Sequence, residues 1–82
     1  MKLFDFKCLS IPEQVSLLYD QGVYVGKRRN GSEVLLLYQL DSFYVEVRYW
    51  SYRRHVKGIR CSAGTAILDP YLEQIEIELL AG

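Results

Sequence analysis

The stretch from Val23 to Trp50 constrains the fold more than any other, because it reads as two consecutive β-hairpins. Strand-like runs flank Asn30-Gly31, and a third run begins after Asp41-Ser42. Asn-Gly between such runs is a strong hairpin signal, since both residues tolerate the positive φ that a tight turn demands. A two-residue loop at Asn30-Gly31 pairs Arg29 with Ser32 and Val25 with Leu36. A second loop at Asp41-Ser42 pairs Leu40 with Phe43 and Leu36 with Val47. The side-chain period of two then sorts the strands into two faces. A first, apolar face carries Val23, Val25, Val34, Leu36, Tyr38, Leu40, Phe43, Val45, Val47 and Tyr49. A second, mixed face carries Tyr24, Arg28, Glu33, Leu35, Leu37, Gln39, Tyr44, Glu46, Arg48 and Trp50. A one-residue slip in either turn would mix the two sets, so each register supports the other.

The chain has 82 residues, half of them apolar and 7 of them Tyr, which supplies one domain over 1–82 with a packed interior. Charged residues are 24% and the formal net charge is zero, a composition unlike disordered chains. Zero net charge disfavours a purely electrostatic partner and eases self-association. Cys8 and Cys61 lie far apart with no Cys-x-x-Cys and a single His in the chain, so no zinc pattern arises. Parity allows a disulfide, but a reduced pair in a cytosolic protein fits this composition better. Asp5 and Lys7 interrupt the N-terminus, so it lacks a signal-peptide core. No run approaches the ~18 apolar residues of a membrane span. These features predict a cytoplasmic protein.

Residues 1–9 are expected to lie extended. Ser10 and Glu13 form a capping-box pattern that opens a helix over about 11–20. Ile11, Val15, Leu18 and Tyr19 would form its buried stripe, with Gln14 and Asp20 in water and Gly22 as a left-handed stop. A fourth strand follows at 55–61, with Val56 on one side, Ile59 and Cys61 on the other, and a bulge suggested by Gly58. Asp69-Pro70 then starts a second helix with Leu68, Leu72, Ile75 and Leu79 at helical spacing and Tyr71 alongside. The expected fold is α+β: a four-stranded antiparallel β-meander with an N-terminal and a C-terminal helix, in the order α-β-β-β-β-α.

Two groups of residues invite a functional reading. One end of the sheet should collect Lys27, Arg28, Arg29, Trp50, Tyr52, Arg53, Arg54 and His55. Of the 10 Lys and Arg in the chain, eight lie between positions 27 and 60. Guanidinium groups beside aromatic rings suit phosphates and unstacked bases, which makes these residues the nucleic-acid candidates. The plainer alternative is a set of solvated hairpin tips, with Arg28 paired across the strands to Glu33. The second group is the mixed sheet face. If both helices cover the first face, Tyr24, Leu35, Leu37, Tyr44, Glu46, Arg48 and Trp50 form an open surface of interface composition. If one helix covers the second face, these residues are interior.

His55 has basic neighbours and no carboxylate nearby in sequence, so a catalytic triad gains no support. The acids Asp69, Glu73, Glu76 and Glu78 carry no His and no ligand spacing. No catalytic, cofactor-binding or metal-binding residue is assigned.

The runs Phe43-Tyr44-Val45-Glu46-Val47, Leu37-Tyr38 and Leu68-Asp69-Pro70-Tyr71-Leu72 resemble a group of short uncharacterised bacterial proteins of the Bacteroides type. That resemblance implies a bacterial cytoplasmic origin and transfers no activity. The expected function is a non-enzymatic protein-interaction or self-assembly module, with the chain itself as one partner. A single-stranded nucleic-acid-binding module using the basic-aromatic end is the alternative.

Overall fold

The computed structural model describes residues 1–51 and 55–72. Two helices, α1 (Leu3–Lys7) and α2 (Ile11–Gln21), precede the strands β1 (Val23–Asn30), β2 (Glu33–Leu40), β3 (Phe43–Trp50) and β4 (Val56–Ser62). The sheet is an antiparallel meander in the order β1-β2-β3-β4. A 3-10 turn at Ala66–Leu68 follows, and the chain continues helical through residues 69–72. This is the α+β order expected, with one helix added: residues 3–7 are helical rather than extended. Phe6 on that short helix is fully buried and packs its ring 5.6 Å from Phe43. Burying such a ring contributes ~1.5–3 kcal/mol, enough to hold a helix too short to stand alone.

The capping box at the start of α2 forms as expected. Ser10 Oγ accepts from the Glu13 amide, and Glu13 Oε1 accepts from the Ser10 amide at 3.3 Å. The stripe of α2 differs from the expectation. Leu18 is buried while Ile11 and Tyr19 are exposed, and Gln14 is buried instead of facing water. Gln14 Nε2 donates to the Phe6 carbonyl at 2.9 Å. That carbonyl lies at the end of α1 and also accepts from the Leu9 amide at 3.1 Å, so a polar side chain adds a second bond there and ties the two helices together. Gly22 is extended (φ −74°), not left-handed; a Cβ there would come within 2.6 Å of the Leu18 carbonyl oxygen. Close approach rather than handedness selects the glycine.

The β2–β3 register is the expected one, with Leu40 opposite Phe43 and Leu36 opposite Val47. The β1–β2 loop is Gly31-Ser32 rather than Asn30-Gly31, so Asn30 pairs with Glu33, Arg29 with Val34 and Lys27 with Leu36. In each turn only the first loop residue takes positive φ, Gly31 at 63° and Asp41 at 53°. The pairing shifts by two residues, which leaves the in-out alternation of this half of β1 unchanged. A β-bulge between Tyr24 and Gly26 does change it. Tyr24 comes opposite Tyr38 on the first face, and Val25 turns to the second, where it packs near Leu37. A second irregularity, beside Gly58, brings Val56 onto the first face with Ile59 and Cys61.

The faces are covered from opposite sides. Helices α1 and α2 pack Phe6 and Leu18 on Leu40, Phe43, Val45 and Val47 of the first face. On the second face Ile67 and Tyr71 pack on Leu37. Tyr71, not Leu72, is the buried residue of the C-terminal helical turn, and Leu72 is exposed. Gly26 makes room for that ring, since a Cβ there would stand 3.3 Å from Tyr71 Cδ1. Ile75 and Leu79 of the expected stripe lie outside the described residues.

Candidate functional site

The second face is interior where an open interface was one of two expectations. Leu37 is 0% exposed, and Leu35 and Glu46 are buried with it. Tyr44 is half-buried against the Leu37 cluster. Arg48 is half-buried with its guanidinium over Gly58, where a Cβ would lie 3.3 Å from Nη2. Trp50 is half-buried beneath Lys57, whose Nζ stands 4.1 Å from the ring centroid. Tyr24 leaves this face altogether through the bulge. Leu35, Leu37 and Glu46 therefore cannot line a free surface, because a helical segment of the same chain fills that layer.

Glu46 organises the polar part of this layer. Tyr71 OH donates to Glu46 Oε2 at 2.7 Å, Arg28 Nη2 approaches the same oxygen at 3.4 Å, and Arg60 Nη2 approaches Oε1 at 3.3 Å. Arg28 also lies over the Tyr71 ring, 5.5 Å from its centroid. A buried carboxylate needs such partners, since an unpaired one would be strongly disfavoured. Burial, together with the hydrogen bond to Glu46, pushes the Tyr71 hydroxyl well above the usual tyrosine range. The partner expected for Arg28, Glu33, is instead paired with Lys57, and that contact lowers the Glu33 carboxyl.

The basic-aromatic end divides between the two faces. Arg28 and Trp50 belong to the second face and are engaged there. Lys27 and Arg29 lie on the first face, opposite Leu36 and Val34, and are exposed. His55 is exposed and lines an open groove with Ile11, Pro12, Val15 and Val56. Tyr52, Arg53 and Arg54 lie outside the described residues. Among the described residues, the structure thus does not gather Lys27, Arg28, Arg29, Trp50 and His55 into one surface.

What remains open is the β1–β2 side of the first face, which α1 and α2 leave partly uncovered. Four tyrosines meet there. Tyr38 stands at the centre, with the ring of Tyr24 at 5.7 Å and that of Tyr19 at 6.4 Å, both edge-on. Tyr19 OH and Tyr49 OH are hydrogen-bonded at 3.1 Å. Tyr19 is 65% and Tyr24 56% exposed, while Tyr38, Tyr49, Leu36 and Val34 are half-buried beside them. Desolvation raises the Tyr38 and Tyr49 hydroxyls above the ordinary value, and the Tyr19 contact adds to the effect at Tyr49. Lys27 and Arg29 lie on the same face farther along β1, and neither forms an ion pair among the described residues. The sequence does not announce this surface, because helical spacing assigns Tyr19 to the stripe of α2 and strict alternation assigns Tyr24 to the second face. The spacing of Tyr19, Tyr24 and Tyr38 held no signal for it, because their meeting depends on the bulge.

Among the described residues no group of His, Cys, Asp and Glu is arranged to hold a metal ion. No helix of the described residues is long and apolar enough to cross a membrane. No family model, curated protein or solved structure matches the chain.

Proposed function

We propose that the protein is a non-enzymatic protein-interaction or self-assembly module whose contact surface is the tyrosine cluster on the open side of the first face. One observation carries this reading: Tyr19 and Tyr24 stand more than half exposed, edge-on around the half-buried Tyr38. Tyrosine brings large contact area at low entropic cost, and exposed tyrosine clusters are typical centres of protein interfaces. Cys8 and Cys61 are free thiols, which fits a reducing compartment and a cytoplasmic setting.

Tyr19→Ser with Tyr24→Ser should abolish association while changing stability little, because both side chains are largely exposed. The measurement is capture of partners by the purified protein, with the double variant beside it and a mass readout that also scores co-purifying nucleic acid. A variant that captures the same proteins as the parent contradicts the reading. Lys27 and Arg29, on the same face as the exposed rings, also favour a second reading, single-stranded nucleic-acid binding. Failure to bind mixed oligonucleotides at low salt would close it.

A further inference from the structure

We infer that the interaction surface takes an extended acidic segment of a partner protein, added antiparallel to the free edge of β1 with its carboxylates on Lys27 and Arg29. The inference rests on the interaction reading above and adds the chemistry and backbone geometry of the partner.

Its basis is the position of these two cations on the sheet. β1 stands first in the order β1-β2-β3-β4, so among the described residues no strand pairs with its outer side. Which backbone groups face that side follows from the register. In an antiparallel pair, opposed residues alternate between exchanging both hydrogen bonds and exchanging none. The pair that closes a two-residue turn is of the first kind, and here it is Asn30 with Glu33. Arg28 with Leu35 is then of the first kind too, while Lys27 with Leu36 and Arg29 with Val34 are of the second. The next hairpin agrees: Leu40 and Phe43 close it, so Leu36 and Val34 direct their amides and carbonyls to β3. The N–H and C=O of Lys27 and Arg29 therefore point outward from the sheet edge. Their side chains are exposed on the first face and form no ion pair among the described residues. Tyr24 lies on that same face farther along the strand, so a segment running along β1 also reaches the tyrosine rings.

Charge selects the occupant. β1 carries Lys27, Arg28 and Arg29 and no acidic residue. A strand with Asp or Glu at alternate positions complements both features of the edge. The residues opposite Lys27 and Arg29 pair with their backbone groups and place carboxylates on the same face, within cross-strand reach of the cations. A second copy of β1 paired across this half would set Lys27 against Arg29, like charge against like, which is how edge cations keep a sheet from growing onto itself. An oligonucleotide would meet the cations with its phosphates but brings no row of N–H donors for the outward carbonyls.

Fluorescence anisotropy with the full chain tests this, with circular dichroism confirming that each variant is folded. The probe is a labelled synthetic peptide alternating Glu with Thr, beside a Lys-Thr peptide and an oligothymidine. The Glu-Thr peptide should bind the parent in the micromolar range. Lys27→Glu with Arg29→Glu should weaken that binding by about tenfold or more and turn the preference to the Lys-Thr peptide. N-methylation of the Glu amides, which face β1 in the antiparallel register, should abolish binding to the parent. N-methylation of the Thr amides, which face away, should leave it in place. Methylations that act alike, or a charge reversal that leaves the Glu-Thr affinity unchanged, overturn the inference. A parent that does not bind the Glu-Thr peptide overturns it too, and sedimentation equilibrium and the oligothymidine then show whether a second copy or a nucleic acid takes the edge instead. If the peptide fails while Tyr19→Ser with Tyr24→Ser still abolishes partner capture, the interaction reading stands without this partner.

Discussion

Leu37→Asp is expected to leave the chain unfolded under native conditions. Leu37 is 0% exposed, between the sheet and the side chains of Ile67 and Tyr71. An 82-residue domain at 0.05–0.15 kcal/mol per residue has a total stability of roughly 4–12 kcal/mol. Removing a buried leucine side chain alone costs ~2–5 kcal/mol, and a desolvated carboxylate adds a further penalty of several kcal/mol. The sum is comparable with the whole stability of the fold. Gln39→Asp makes the control, because Gln39 is exposed and stands two residues further along the same side of β2. Circular dichroism should show a folded Gln39→Asp protein and an unfolded Leu37→Asp protein. A folded Leu37→Asp variant would mean that the C-terminal turn does not close the second face.

Glu46→Gln is expected to lower stability by less, yet still measurably. Its carboxylate is 2% exposed and serves Arg28, Arg60 and Tyr71 together. Removing one partner of a fully desolvated ion pair costs ~3–5 kcal/mol. Here Arg28 keeps 22% and Arg60 60% of its side-chain surface. Water relieves both cations in part, so the expected loss is roughly 2 kcal/mol, or about 2 M in the urea midpoint for a domain of this size. Tyr71→Phe should cost ~1–2 kcal/mol through the lost charge-assisted hydrogen bond. The double variant should lose less than the sum, because both substitutions dismantle the same contact. Strict additivity, or an unchanged midpoint for Glu46→Gln, would show that Glu46 does not hold the C-terminal turn to the sheet.

Much of this fold was legible in the residues themselves. The capping box of Ser10 and Glu13, the β2–β3 register and the meander order all rest on local signals, and each is realised. What was not legible depends on contacts made at a distance. Gln14 reads as a surface residue until the carbonyl end of α1 arrives beside it. Residues 3–7 read as extended because no propensity announces so short a helix, and burial of Phe6 decides the matter. Tyr24 changes face because of a bulge next to Gly26, whose missing side chain receives the Tyr71 ring. The mixed composition of the second face was visible, but composition alone does not separate an interface from an interior with a buried ion pair. Glu46 and its three partners decide it. The candidate surface moved to the first face for the same reason.

Tyrosine nitration mapped by mass spectrometry tests most directly which face is closed and which is open for association. At low protein concentration Tyr19 and Tyr24 should react readily and Tyr71 should be protected. Nitration of Tyr71 as fast as Tyr24 would contradict this arrangement.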